Sequence, residues 1–355
     1  MDRIKSLILY VTNKCSLYCE HCFYHAALKK PKQELSLGEI ERFVKQIRPL
    51  GVSLCGGEPT LRNDLPEICH ILQRNGVKRI GILSNGFSPE KVYNTIKKIL
   101  EEIDDVTITL HISIDGLKKT HDEIRKSTQS SFDRLVETVE MVKPLRRYRN
   151  FDMCLRTIIM SKNFDELERL TEFVDTNLKI SHYFELVRGA YTCGVPKEYL
   201  NFSYSPQDQG LFLNEENMKK LEKVLYKIFM RRGMKGPFEF VRQATQFNLL
   251  LHHMQTLRDR KACVRCDVGK IAILYPEGTL GVCEFMKLVG NLKEENLDFN
   301  GVFNGKEAEK QKIIADNCYC THGCFISGNI LDAHILGPKN RIKSSVKLMS
   351  YGLRG

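Results

Sequence analysis

A chain of 355 residues, 42% hydrophobic and 27% charged, is long enough for one large α/β domain and a smaller companion. It has no uncharged apolar run approaching the roughly eighteen residues of a membrane span. Its start, Met1-Asp2-Arg3, passes within a few residues into an apolar strand and lacks the parts of a secretory signal, so the cytoplasm is the expected location. The formal charge of +11 calls for an acidic partner or substrate. The basic residues are not grouped on a module with interleaved aromatics, so no nucleic-acid partner is expected.

The first apolar run, Leu7 to Val11, reads as a buried strand and leads into a loop with Cys15, Cys19 and Cys22 at x3 and x2 spacing. Three thiolates leave one metal position of a four-ligand site open. A helical pattern from Leu35 to Arg48 follows, with Ser36 and Glu39 as a capping box. Val52 to Cys55 is the second strand, ending in Gly56-Gly57-Glu58-Pro59-Thr60. Two glycines there let the backbone approach a ligand, and the carboxylate beside them can accept from a cationic amine.

A helix from Asp64 to Asn75 precedes the third strand, Arg79 to Leu83, and another runs from Ser88-Pro89 to about Ile103. The fourth strand spans Val106 to Ile114 and the fourth helix about Ser131 to Val142. Strand Asp152 to Met160, a helix from Asn163 to Asp175 and strand Ser181 to Val187 complete six strands with crossover helices. Such a repeat implies a parallel sheet with right-handed connections, closed or partly closed, whose functional loops leave the C-terminal strand ends. Residues 215–260 are helical and amphipathic. Composition then turns to cysteine-rich hairpins, one with its turn at Pro276-Glu277-Gly278.

Of thirteen cysteines, nine fall in two clusters: Cys15, Cys19 and Cys22, then Cys263, Cys266, Cys283, Cys318, Cys320 and Cys324. In a reducing compartment this usage favours metal binding over disulfides. The four scattered ones read as small buried hydrophobes. Lys339, Arg341, Lys343, Lys347 and Arg354 lie in an acid-free tail that reads as solvated.

The triad after the first strand, with Gly-Gly-Glu-Pro after the second, resembles the radical S-adenosylmethionine (radical SAM) superfamily. The resemblance implies a partial (β/α)6 TIM-type barrel in which Cys15, Cys19 and Cys22 hold three irons of a 4Fe-4S cluster, and SAM chelates the fourth. It further implies that Gly56, Gly57 and Glu58 hold the methionyl amine and that His21 lies near the adenine. Ser84-Asn85-Gly86 and Ser113-Ile114-Asp115-Gly116, with His121 to Arg125, match further family signatures. Ser84, Asn85, Ser113 and Asp115 thereby become cofactor contacts, with Arg125 or Arg134 for the SAM carboxylate. The implied reaction is reductive cleavage of SAM to a 5′-deoxyadenosyl radical, which abstracts a hydrogen atom from substrate carbon. Its electron comes from a donor such as flavodoxin or ferredoxin.

The later cysteines resemble the SPASM or twitch extension of such enzymes, a small α+β unit. The spacing Cys266-x11-Gly278-x4-Cys283, then Gly290-Asn291-Leu292 and Cys318 to Cys324, falls short of the seven-cysteine pattern. One auxiliary 4Fe-4S cluster is the expectation, held by Cys266, Cys283 and Cys324 with a fourth ligand from Cys263, Cys318 or Cys320. A structural zinc site is the alternative. The chain divides accordingly into a barrel at 1–214, a helical bridge at 215–260, the auxiliary extension at 261–330 and a basic tail at 331–355. Cys193 and Tyr191 are candidate hydrogen donors near the barrel mouth. Peptide or protein side-chain modification is the expected function. Alternatives are a dehydrogenase acting on a sugar or alcohol, or an iron–sulfur or zinc protein without turnover.

Overall fold

The computed structural model describes residues 4–28, 33–189, 195–201, 209–260, 266, 268–315 and 318–319. Six parallel strands, β1 (Ser6–Thr12), β2 (Gly51–Gly56), β3 (Arg79–Ser84), β4 (Thr107–Ser113), β5 (Phe151–Ile159) and β6 (Ser181–Leu186), lie in the order 6-5-4-3-2-1. Three short strands continue the same sheet beyond β1: β7 (Ile271–Leu274), β8 (Thr279–Gly281) and β9 (Gly290–Asn291). The sheet is open, with β6 and β9 at its edges, so the fold is a partial barrel.

Strand alternation separates the two faces. Ile80, Ile82, Ile108, Leu110 and Ile112 are almost wholly buried, and Ile112 lies beneath Leu135 of helix Ser131–Val142 beside Gly86. The opposite positions, Ser53, Cys55, Gly81, Thr109, His111, Ser113 and Arg156, are only half-buried. One face therefore holds the hydrophobic core beneath the crossover helices, while the concave face keeps polar side chains.

The six expected strands and their helices form where the apolar patterns place them. Helix Leu37–Ile47 opens with the Ser36–Glu39 capping box and buries Ile40, Phe43, Val44 and Ile47. The bridge is two helices, Glu215–Gly233 and Pro237–Asp259, because Gly236 (φ 154°) and Pro237 cannot continue a helix but suit the start of a new one. Phe229 joins them to the sheet, 5.9 Å from Phe247 and 6.0 Å from Phe184 between ring centroids.

The Pro276-Glu277-Gly278 turn forms as the sequence implies, with Gly278 at φ 91° and β7 antiparallel to β8. Pairing of β7 with β1, parallel and in register from Ser6↔Ile271 to Leu9↔Leu274, has no local signal in the sequence. It makes the cysteine-rich extension an outgrowth of the barrel sheet and sets its hairpin beside the strand that launches the first cysteine loop.

Candidate active site

The first cysteine loop is fastened to the end of β2 by its backbone. Register slips between Tyr10↔Cys55 and Thr12↔Gly56, and beyond the slip Gly57 N–H donates to Thr12 O (2.9 Å) and Glu58 N–H to Lys14 O (2.7 Å). Both glycines are dictated by that approach: a Cβ on Gly56 (φ 144°) would lie 2.4 Å from Thr12 O, and one on Gly57 2.1 Å from Lys14 O and 3.0 Å from Cys15 Cβ. Close backbone contact without side chains is the use of glycine here.

The two turns frame a cavity of about 220 Å³ at the C-terminal strand ends. Cys15, Cys19 and Cys22 line it together with His21, Gly56, Gly57, Ser84, Asn85, Ser113 and Arg125, so ten sequence-nominated residues converge on one space. Of the residues nominated for SAM, three do not line it: Glu58, Asp115 and Arg134. Arg134 pairs with Glu137 (2.8 Å) and Glu90 (3.6 Å) on the surface, held there by its position on helix Ser131–Val142.

Glu58 faces into the protein rather than the cavity. Its buried carboxylate accepts from Thr60 N–H (3.2 Å), Thr60 Oγ1 (2.7 Å), Ser84 Oγ (3.0 Å) and Asn85 N–H (2.7 Å). Burial pushes its pKa up and these four donors oppose the shift. The side chain thus ties the β2 turn to the end of β3 and aims Asn85, whose Nδ2 lies 3.7 Å from Cys15 Sγ.

Asp115 also lies behind the wall, fully buried. It accepts from Ile158 N–H (3.0 Å) and is ion-paired with Arg125, with His21 Nε2 3.7 Å away. Burial would raise its pKa, but Arg125, with His21 beyond, holds it below the usual carboxylate range. Arg125 in turn donates from Nη1 to Cys19 Sγ (3.5 Å). His21 is driven down to about 4 by burial, which outweighs the pull of Asp115, and stays neutral.

Three further lining residues have no motif to announce them. Tyr10 Oη donates to Glu284 Oε1 (2.5 Å), and Arg188 Nη1 donates to Glu284 Oε2 (3.1 Å). Arg188 also spreads over Phe23 and Phe285, 5.5 and 6.0 Å from their centroids. In the sequence Tyr10 is one more apolar strand position. The only local signal at Glu284 is its adjacency to Cys283.

The donor set fits an iron–sulfur cluster held by three thiolates with a small molecule beside it. Among the described residues no three His, Cys, Asp or Glu side chains converge on a single ion. Burial pushes the thiols of Cys15 and Cys22 up to about 12, so loading a cluster there would release their protons. In the extension, Cys283 and Cys318 are buried and Cys266 half-buried. Cys263, Cys320 and Cys324, like Tyr191 and Cys193, lie outside the described residues.

Comparison with known proteins agrees with this chemistry. Residues 9–174 match the family described as the radical SAM superfamily. A probable GTP 3′,8-cyclase of Metallosphaera sedula is 22% identical over 79% of this chain and 80% of its own length. A GTP 3′,8-cyclase of Actinobacillus pleuropneumoniae is 40% identical, over 26% of this chain and 30% of its own. Among solved structures, Streptococcus suis SuiB bound to S-adenosylmethionine superposes with a TM-score of 0.59 at 14% identity, covering 87% of this chain and 68% of that one. Native anSMEcpe with bound AdoMet and Kp18Cys peptide gives 0.58 at 15% identity, covering 86% and 82%.

Proposed function

We propose that the chain is a radical SAM enzyme, in keeping with the family match over residues 9–174, and that it modifies a carbon of a peptide or protein side chain in the cavity at the C-terminal strand ends. Cys15, Cys19 and Cys22 hold the cluster, and the Gly56-Gly57 backbone, Ser84, Asn85 and Ser113 receive SAM. When bound, cluster and SAM supply the electron and the 5′-deoxyadenosyl radical that takes a hydrogen atom from carbon. The chain's own side chains keep this space dry and polar at chosen points. Glu284, between Tyr10 and Arg188, can hold a proton at Oε1 released by an oxidised substrate.

One observation carries the choice of substrate class. Among the described residues lining the cavity the only guanidinium or ammonium groups are Arg125 and Arg188, and each is matched by a carboxylate, Asp115 and Glu284. A polyphosphate needs surplus cations, whereas a peptide side chain does not. Two similar solved structures carry peptides, SuiB with the precursor SuiA and anSMEcpe with Kp18Cys. A second reading, a small-molecule reaction, rests on the relatives named GTP 3′,8-cyclase.

Within this reading residues 1–214 are the catalytic barrel, 215–260 the helical bridge, 261–330 an extension holding one auxiliary 4Fe-4S cluster, and 331–355 a basic tail. A flavodoxin or ferredoxin supplies the electron. No helix among the described residues is long and apolar enough to cross a membrane.

The test is anaerobic turnover of reconstituted protein with dithionite and SAM, supplied in parallel with GTP and with short peptides encoded beside its gene. Formation of 5′-deoxyadenosine with a mass change in a peptide is expected. Consumption of GTP with no peptide change overturns the peptide assignment, and absence of SAM cleavage by fully reconstituted protein overturns the enzymatic reading.

A further inference from the structure

The motif after β4 makes a second set of contacts, to the cysteine loop itself. Helix Lys118–Arg125 carries its last residue back to the cysteine loop, where Arg125 is 6% exposed. One guanidinium nitrogen, Nη1, donates to Cys19 Sγ (3.5 Å) and another, Nη2, is ion-paired with Asp115. The loop and helix are joined again by Glu20 N–H donating to Ile124 O (2.9 Å). Asp115 is itself fixed, accepting from Ile158 N–H while its own N–H donates to His121 Nδ1 (3.0 Å). The guanidinium therefore cannot swing away from the sulfur without leaving a buried carboxylate unpaired.

We propose that Arg125, clamped by Asp115, is a positioning residue that sets the reduction potential of the SAM-binding cluster through its N–H···S bond to Cys19. A positive charge and a hydrogen bond on a ligand sulfur stabilise the more negative, reduced cluster and raise its potential. The buried carboxylate behind it offsets part of that field, and in a low-dielectric wall neither charge is screened by water. The two halves of the ion pair thus pull the potential in opposite directions. His21 Nε2 lies 3.7 Å from Asp115 Oδ2.

The inference rests on Cys19 being a cluster ligand, and the experiment separates the two. Anaerobically reconstituted full-length protein is titrated with dithionite, with the reduced cluster followed by electron paramagnetic resonance. A variant with Cys15, Cys19 and Cys22 all changed to Ala gives the signal to be subtracted for any auxiliary cluster. If that variant keeps the wild-type spectrum, the ligand assignment itself fails. With the assignment standing, Arg125→Met is expected to lower the midpoint potential, Arg125→Lys to lower it less, and Asp115→Asn to raise it. Shifts of Met and Asn variants in the same direction, as a merely structural role would give, overturn the proposal, as does no shift in either. Should Arg125→Met fail to assemble a cluster, Arg125→Lys and Asp115→Asn carry the same opposed-sign test.

Discussion

Tyr10 and Glu284 stand 274 positions apart in the chain and share a hydrogen bond of 2.5 Å in the cavity wall. One comes from the first strand and the other follows Cys283 in the extension. Tyr10 also packs against Tyr24 and Tyr275, at 4.8 Å from each ring, so barrel, cysteine loop and hairpin meet at a single phenol. Burial and the neighbouring Glu284 carboxylate hold that phenol well above its ordinary pKa, so it remains a donor at neutral pH.

Tyr10→Phe removes the donor to Glu284 Oε1 while keeping the ring. The expected cost is about 1–3 kcal/mol, read as a lower urea midpoint at unchanged slope, with iron content unaffected. Unaltered stability would mean that the bond is not formed.

Glu284→Gln keeps the shape and removes the charge. SAM cleavage to 5′-deoxyadenosine without substrate is expected to persist, while product formation falls at least about tenfold, in keeping with the loss of a general base. Equal loss of both would instead point to a structural role for the carboxylate.

Gly57→Ala forces a methyl group against the backbone of the cysteine loop, with only 2.1 Å between the new Cβ and Lys14 O. Backbone on backbone leaves nothing to yield except that loop. Reconstituted iron is expected to fall from about eight to about four per chain, the loss of one cubane of two, as it is for Cys19→Ala. Full iron content in Gly57→Ala would show that the loop can move without losing its cluster.

Glu58→Ala strips four hydrogen bonds from a buried carboxylate site. A destabilisation of about 3 kcal/mol is expected, along with weaker SAM binding in equilibrium dialysis because Ser84 and Asn85 lose their anchor. Arg134→Ala, on the surface, is expected to change neither.

The expected elements are legible because each is a short-range pattern. Apolar runs and capping residues such as Ser36 with Glu39 locate strands and helices, and the cysteine spacing with Gly56-Gly57 locates the mouth of the sheet. The roles of single polar side chains are less legible. Glu58 and Asp115 each sit in a motif that invites a ligand contact, and only their partners reveal that both carboxylates face inward.

The sequence by itself determined the parallel α/β order, the three-thiolate loop and the glycines beside it, since helical and strand periodicity and local spacing are properties of neighbouring residues. Tertiary structure alone decided that β7 docks against β1, that Glu284 reaches Tyr10 and Arg188, and that Arg125 closes on Cys19. The three side-chain pairings join residues 96 to 274 positions apart, and burial selects them: a charge taken out of water must find its partner in the folded chain, wherever along the sequence that partner lies.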